Sequence, residues 1–206
     1  IFIYITPIIC YKKIIAIMAL MLMFTGTVWA DDSINEQAAT QLYYRTEIVA
    51  RKVPYTNAGF FSAIQSGNTE LTEMFLKSGY SPNIKYMKLP AIFAAVYSRN
   101  AKIVDLLLKY GADVDTVYLE QTPLIFAINR KDAEIVDVLI KHDADVNKSS
   151  GALKPLNYAL KKKHSEIVTS LLNAGAQPDD ESLIRALKNK DENIKNLVLK
   201  KYRELE

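Results

Sequence analysis

Cysteine is almost missing from this 206-residue chain, and the single one, Cys10, lies ahead of everything that reads as folded. A lone thiol there excludes an intrachain disulfide, a cysteine nucleophile and a cysteine metal ligand in the body of the protein. Histidine is scarce too: only His142 and His164 are present, and no zinc spacing, glycine-rich phosphate loop or serine elbow occurs. No cofactor, metal or catalytic constellation is therefore expected. An excess of one charge is also lacking. The 26 Lys+Arg and 23 Asp+Glu leave +3, too little for the concentrated basic face that nucleic acid requires.

What is present begins with an N-terminal leader. Lys12 and Lys13 precede an apolar run, Ile14 to Phe24, followed by Val28, Trp29 and Ala30 before Asp31 and Asp32. Charged, apolar and small-residue segments in that order are those of a secretory signal peptide, with cleavage expected between Ala30 and Asp31. The apolar run has 11 residues, short of the roughly 20 of a spanning helix. An uncleaved anchor is the rival reading, because a second apolar stretch, Ile1 to Tyr11, lies before the lysines. Periplasmic or secreted location follows from cleavage, and inner-membrane anchoring from retention. Membrane contact is expected only through that uncleaved leader, and loss of Lys12 and Lys13 would leave a charge near +1.

Beyond the leader the chain repeats itself. Gly79, Gly111, Asp143 and Gly175 follow one another at intervals of 32, and Ala63, Ala94, Ala127 and Ala159 at intervals of 31, 33 and 32. In each unit a short apolar stretch opening on a proline or turn residue, such as Thr122-Pro123-Leu124-Ile125-Phe126-Ala127, predicts a helix with proline in its first turn. A polar break leads to a second helix with apolar spacing i, i+1, i+4, i+5, as in Ile135, Val136, Leu139 and Ile140. The following glycine supplies the left-handed residue that ends a helix. Asp143 replaces it in the third unit, at an expected cost of about 1 kcal/mol. Two such helices cannot bury their apolar faces alone, so the units must stack.

At these residues the sequence resembles the ankyrin-repeat family. Thr122-Pro123-Leu124 with Ala127, Glu134-Ile135-Val136, Ala144-Asp145-Val146-Asn147, Leu106-Leu107-Leu108 and Gly111-Ala112-Asp113-Val114-Asp115 carry the likeness. It implies an all-α solenoid of about four helix-turn-helix repeats over residues 57–178, after a leader (1–30) and an N-terminal capping helix (31–56). Ser33 with Glu36 forms a capping-box pattern at the start of that helix. A shortened pair of helices closes the stack over 179–206, since Ala186 follows Ala159 by only 27 residues. The first unit, with Ala58-Gly59 where the third has Thr-Pro, is the weakest match.

His164 falls where the family often carries a histidine that ties neighbouring turns, and His142 ends an outer helix, where a cation suits the helix dipole. Asp105, Glu134 and Asp137 read as solvated outer-helix charges rather than acid/base partners. The resemblance places the partner surface on the concave side, made of finger tips and inner-helix ends. Carried over by position, the fingers hold Tyr55, Lys85, Tyr86, Lys88, Tyr118, Leu119 and Gln121. The inner-helix ends hold Tyr97, Asn129, Arg130, Lys161 and Lys162, and Ser150 with Gly151 leaves the fourth finger bare.

Two readings of the tyrosines stand: an exposed ribbon that anchors a partner, or rings lying between the fingers that pack the turns. The ribbon grades into a basic end, which suits another protein with an acidic patch; the free chain is expected to be a monomer. Small exported ankyrin proteins of bacteria resemble either immunity proteins that occupy a secreted lipase or phospholipase toxin, or supporters of catalase in oxidative-stress defence. The first is the expected role. A host-directed effector is a further class, for which nothing beyond the leader speaks.

Overall fold

The computed structural model describes residues 32–149, 151 and 153–205. The expected leader, the cleavage pair Ala30 and Asp31, and Ser150 lie outside the described residues, as do the side chains of Ser33 and Glu36. Eleven helices are present among the described residues, and one two-stranded hairpin.

A first helix, α1 (Asp32–Ala50), leads into five helix pairs: α2 (Asn57–Gln65) with α3 (Thr69–Lys77), α4 (Ala91–Tyr97) with α5 (Ala101–Lys109), α6 (Pro123–Asn129) with α7 (Ala133–Lys141), α8 (Pro155–Lys162) with α9 (Ser165–Asn173), and α10 (Asp180–Leu187) with α11 (Glu192–Arg203). Most are nine residues or fewer, below the length at which a helix stands alone in water. They persist because inner helices stack as α2, α4, α6, α8, α10 and outer helices as α3, α5, α7, α9, α11, with α1 laid on α3. The result is an all-α repeat solenoid.

The termini of the helices explain the period. Asn68, Asn100 and Asp132, each 32 apart, cap α3, α5 and α7 by accepting the N–H three residues on, at 2.9, 3.1 and 3.4 Å. His164 occupies the equivalent place before α9 and makes no such bond. Proline lies in the first turn of α6 and α8, while Pro90 stands one place earlier, as the cap of α4. Gly79, Gly111, Asp143 and Gly175 all have positive φ, so aspartate does adopt the left-handed conformation that glycine holds elsewhere. A second left-handed register, unforeseen from the pattern, runs through the turns between inner and outer helices: Gly67, Arg99, Lys131 and Lys163.

One continuous core fills the stack. Its first half is aromatic, with Phe60, Phe61, Phe75 and Phe93 almost fully buried; its second half is aliphatic, with Ile125, Ile135, Leu139, Val168 and Leu171. Gly59 is required at the first pair: a Cβ there would lie 2.0 Å from the carbonyl oxygen of Pro54. The last pair joins that core through Ala186, Ile194 and Val198 and is also held by polar groups. Buried Asn157 on α8 donates to the Asp179 carboxylate at 3.2 Å, and the single hydroxyl proton of buried Ser182 is shared between the Asn157 side-chain oxygen and Asp179, 2.8 Å away. Burial opposes ionisation of Asp179, but the two bonds from Ser182 and that from Asn157 together hold its carboxyl below the usual range.

Candidate binding surface

Each inner helix has a finger before its N-terminus and a turn after its C-terminus, so the two form separate edges of the stack. About seven residues of helix separate them, roughly 11 Å at 1.5 Å per residue.

At the finger edge, Lys85–Tyr86 and Leu89–Pro90 pair as antiparallel strands β1 and β2 around Met87 and Lys88. In the next finger, Tyr118 and Gln121 exchange both backbone hydrogen bonds, at 2.9 and 3.0 Å, around Leu119 and Glu120. All four central residues have positive φ, the geometry of a two-residue hairpin for which Asn-Gly is the favoured sequence. Holding residues with a Cβ there costs roughly 1 kcal/mol each. The side chains so held point outward: Met87 is 81% exposed and Leu119 77%.

The fingers are tied at their bases by a ladder of side chains 32 residues apart. Asn83 donates to the carbonyl of Gly111 at 2.9 Å and accepts from the N–H of Asp113 at 2.8 Å. Asn147 does the same with Gly175 and Gln177 at 3.2 and 2.8 Å. Between them Asp115 accepts from the N–H of Asp145 at 3.2 Å, and burial raises its pKa against the pull of that bond.

The tyrosines expected to form an exposed ribbon do not do so. Tyr55 is half-buried, stacks on Phe75 with centroids 5.6 Å apart and bonds through its hydroxyl to Ser78 at 2.9 Å. Tyr86 lies 5.5 Å from Phe61, and Tyr118 5.3 Å from Phe93. Tyr86 and Tyr118 thus pack back on the inner helix of the preceding unit, because the residue before the hairpin turn faces the stack while the turn residues face away, and Tyr55 packs on α3 of its own unit. Only Tyr97, at 63%, is broadly exposed.

At the turn edge the structure brings Tyr97 and Arg130 together. The guanidinium lies 4.8 Å from the centre of the Tyr97 ring and donates to the Tyr97 carbonyl at 3.2 Å. The Nε of Arg130 is buried without a hydrogen-bond partner. Asn129 and Gln121 are half-buried; Lys85, Lys88, Lys161 and Lys162 are exposed. The expected residues therefore divide between two edges instead of forming one ribbon. Sequence reasoning missed Met87, although it recurs as Leu119 at the repeat interval.

The Asp105 carboxylate of the preceding outer helix accepts from His142 Nε2 at 2.8 Å. That bond, with the one from Lys109, holds the Asp105 carboxyl below its usual range. Burial lowers the pKa of His164, and nearby Lys131 and Lys162 lower it further. Among the described residues no group of three or more His, Cys, Asp or Glu side chains is placed to hold a metal ion, and no helix is long and apolar enough to cross a membrane.

Two family models match the chain: "Ankyrin repeats (3 copies)" over residues 115–182 and "Ankyrin repeat" over residues 89–117. No curated protein sequence matches it.

Proposed function

We propose, from the premise that this chain is built of ankyrin repeats, that it is an exported binding protein whose finger edge grips and occludes a secreted lipase or phospholipase toxin. Repeats of this family are protein-interaction modules, and their stacked units offer an extended binding surface. The observation that carries the reading is the pair of apolar tips, Met87 and Leu119, held outward in turns whose backbone favours Asn-Gly. Neither packs in the core, so their apolar surface contributes nothing to the fold and is free to enter pockets on a partner. Export rests on the leader residues Lys12 to Ala30, and an immunity role on the fit between a rigid stack and a single enzyme to be blocked.

The test places a photo-crosslinking residue at Met87 or Leu119 and, as a control, at Asp137 on an outer helix. One crosslinked protein at both tips and none at the control is expected, with ester hydrolysis by that protein abolished by an equimolar amount of this chain. Crosslinking at Asp137 alone would place the interface elsewhere, and capture of a protein without esterase activity would reject the toxin. N-terminal sequencing of the periplasmic protein should begin at Asp31, and a retained residue 1 would reject cleavage.

A further inference from the structure

The turn edge carries a row of cations, of which Arg99 and Arg130 bond within the stack and six lysines make no ion pair among the described residues. Successive turns read Gln65-Ser66-Gly67-Asn68, Tyr97-Ser98-Arg99-Asn100, Asn129-Arg130-Lys131-Asp132, Lys161-Lys162-Lys163-His164 and Leu187-Lys188-Asn189-Lys190-Asp191. From the second turn onward these hold eight cations and two carboxylates, while the whole chain is only +3, so everything outside the edge sums to a net negative charge. Arg99 is neutralised by Asp132 at 3.1 Å. Lys131, Lys161, Lys162, Lys163, Lys188 and Lys190 are exposed, and none of them is among the ion pairs of the described residues, although Glu134 and Glu166 stand one turn away.

Ordinary structural preferences do not account for the row. The last turn of α8 favours cations such as Lys161 and Lys162 through its dipole. Lys131 and Lys163 sit between two helix ends: Lys163 is the C-cap of α8 and Lys131 follows the C-cap of α6, where a cation is favoured, but each also stands just before an outer helix, where a cation is disfavoured, so the opposed dipoles do not select lysine. Both also hold a left-handed conformation that glycine, present as Gly67 in the first turn, adopts without strain. Between the last two turns, Leu160, Lys161, Lys163, Arg185, Lys188 and Asn189 line an open cleft of about 150 Å³.

We propose that the turn edge from Arg99 to Lys190 docks an extended acidic segment of a protein partner. Stacked helices lie about 10 Å apart, so the row spans roughly 30 Å over three steps and matches about nine extended residues at 3.3 Å each. A single nucleic acid strand fits less well, since stacking requires exposed aromatic faces; in these turns Tyr97 is covered by Arg130 and His164 is half-buried. This inference rests on the protein-binding reading and adds the charge of the partner and a second edge for it to occupy.

The probe is a fluorescent decaglutamate peptide, titrated with the purified protein at low salt. Lys131→Gly with Lys163→Gly removes two cations at positions where glycine relieves strain, so the variant folds at least as well and a loss of binding is not a loss of structure. Binding by the native protein, weakened at least about tenfold in this variant and by added salt, and unchanged in Met87→Ala with Leu119→Ala, is expected. No binding at low salt, equal binding by the lysine variant, or tighter binding to phosphatidylglycerol vesicles or a single-stranded oligonucleotide overturns it. Failure here with tip crosslinking intact leaves the proposed function standing; failure of tip crosslinking alone leaves the acidic-segment site standing.

Discussion

At the finger edge the left-handed residues are Met87, Lys88, Leu119 and Glu120; at the turn edge they are Gly67, Arg99, Lys131 and Lys163. The backbone demand is the same in both places, yet one edge carries apolar tips and the other cations. Neither choice follows from the conformation, which is satisfied best by glycine or asparagine. Backbone conformation therefore does not set these side chains, whereas the neighbouring Tyr86 and Tyr118 are set by packing on Phe61 and Phe93 inside the stack.

The largest expected effect is at the first pair, whose finger has no hairpin and is held by the stacking and the hydrogen bond of Tyr55. Gly59→Ala forces a Cβ into the Pro54 carbonyl and should lower unfolding free energy by about 3 kcal/mol, read from urea denaturation. An unchanged midpoint would mean that the finger is free to shift. Next in size is the contrast within one finger. Tyr118→Ala should cost about 2 kcal/mol through the lost packing on Phe93, and Met87→Ala less than about 0.5 kcal/mol, as befits an exposed site. Equal losses would erase the distinction between packing and presenting residues.

Smaller effects compare the two edges directly. Glu120→Gly at a finger, Lys163→Gly at a turn and Asp143→Gly after α7 should each raise stability by about 1 kcal/mol. A lower thermal midpoint in any of them would refute the strain assigned to that residue. The smallest effect concerns acid. Because burial holds the folded pKa of His164 below that of a free imidazole, the native state resists protonation, so stability should decline as pH falls from about 6.5 through the folded pKa. In His164→Gln that part of the decline should vanish; an identical pH profile would show that the imidazole stays solvated.

Much of the architecture was legible. The interval of 32 located the ends of α3, α5, α7 and α9 but not that of α11, and the break at Ala58-Gly59 marked a unit with different packing. The candidate surface was legible only in part. Tyr55, Tyr86 and Tyr118 were visible as a recurrence, but a recurrence does not say which way a ring faces. Met87 was passed over because a lone methionine beside a lysine pattern carries no turn signal; only its positive φ and exposure show it at a tip. The left-handed register through Arg99, Lys131 and Lys163 was equally periodic, yet these residue types do not announce that conformation as glycine does at Gly67.

By itself, then, the amino-acid sequence determined the paired helices, their period and the need to stack, since short amphipathic segments with capping residues at fixed intervals have no other way to bury their apolar faces. The division of the surface into a finger edge tipped by Met87 and Leu119 and a cationic turn edge was decided by tertiary structure. A one-residue step through a hairpin turns a side chain from the core to solvent, and stacking alone brings turns 32 residues apart into one continuous row.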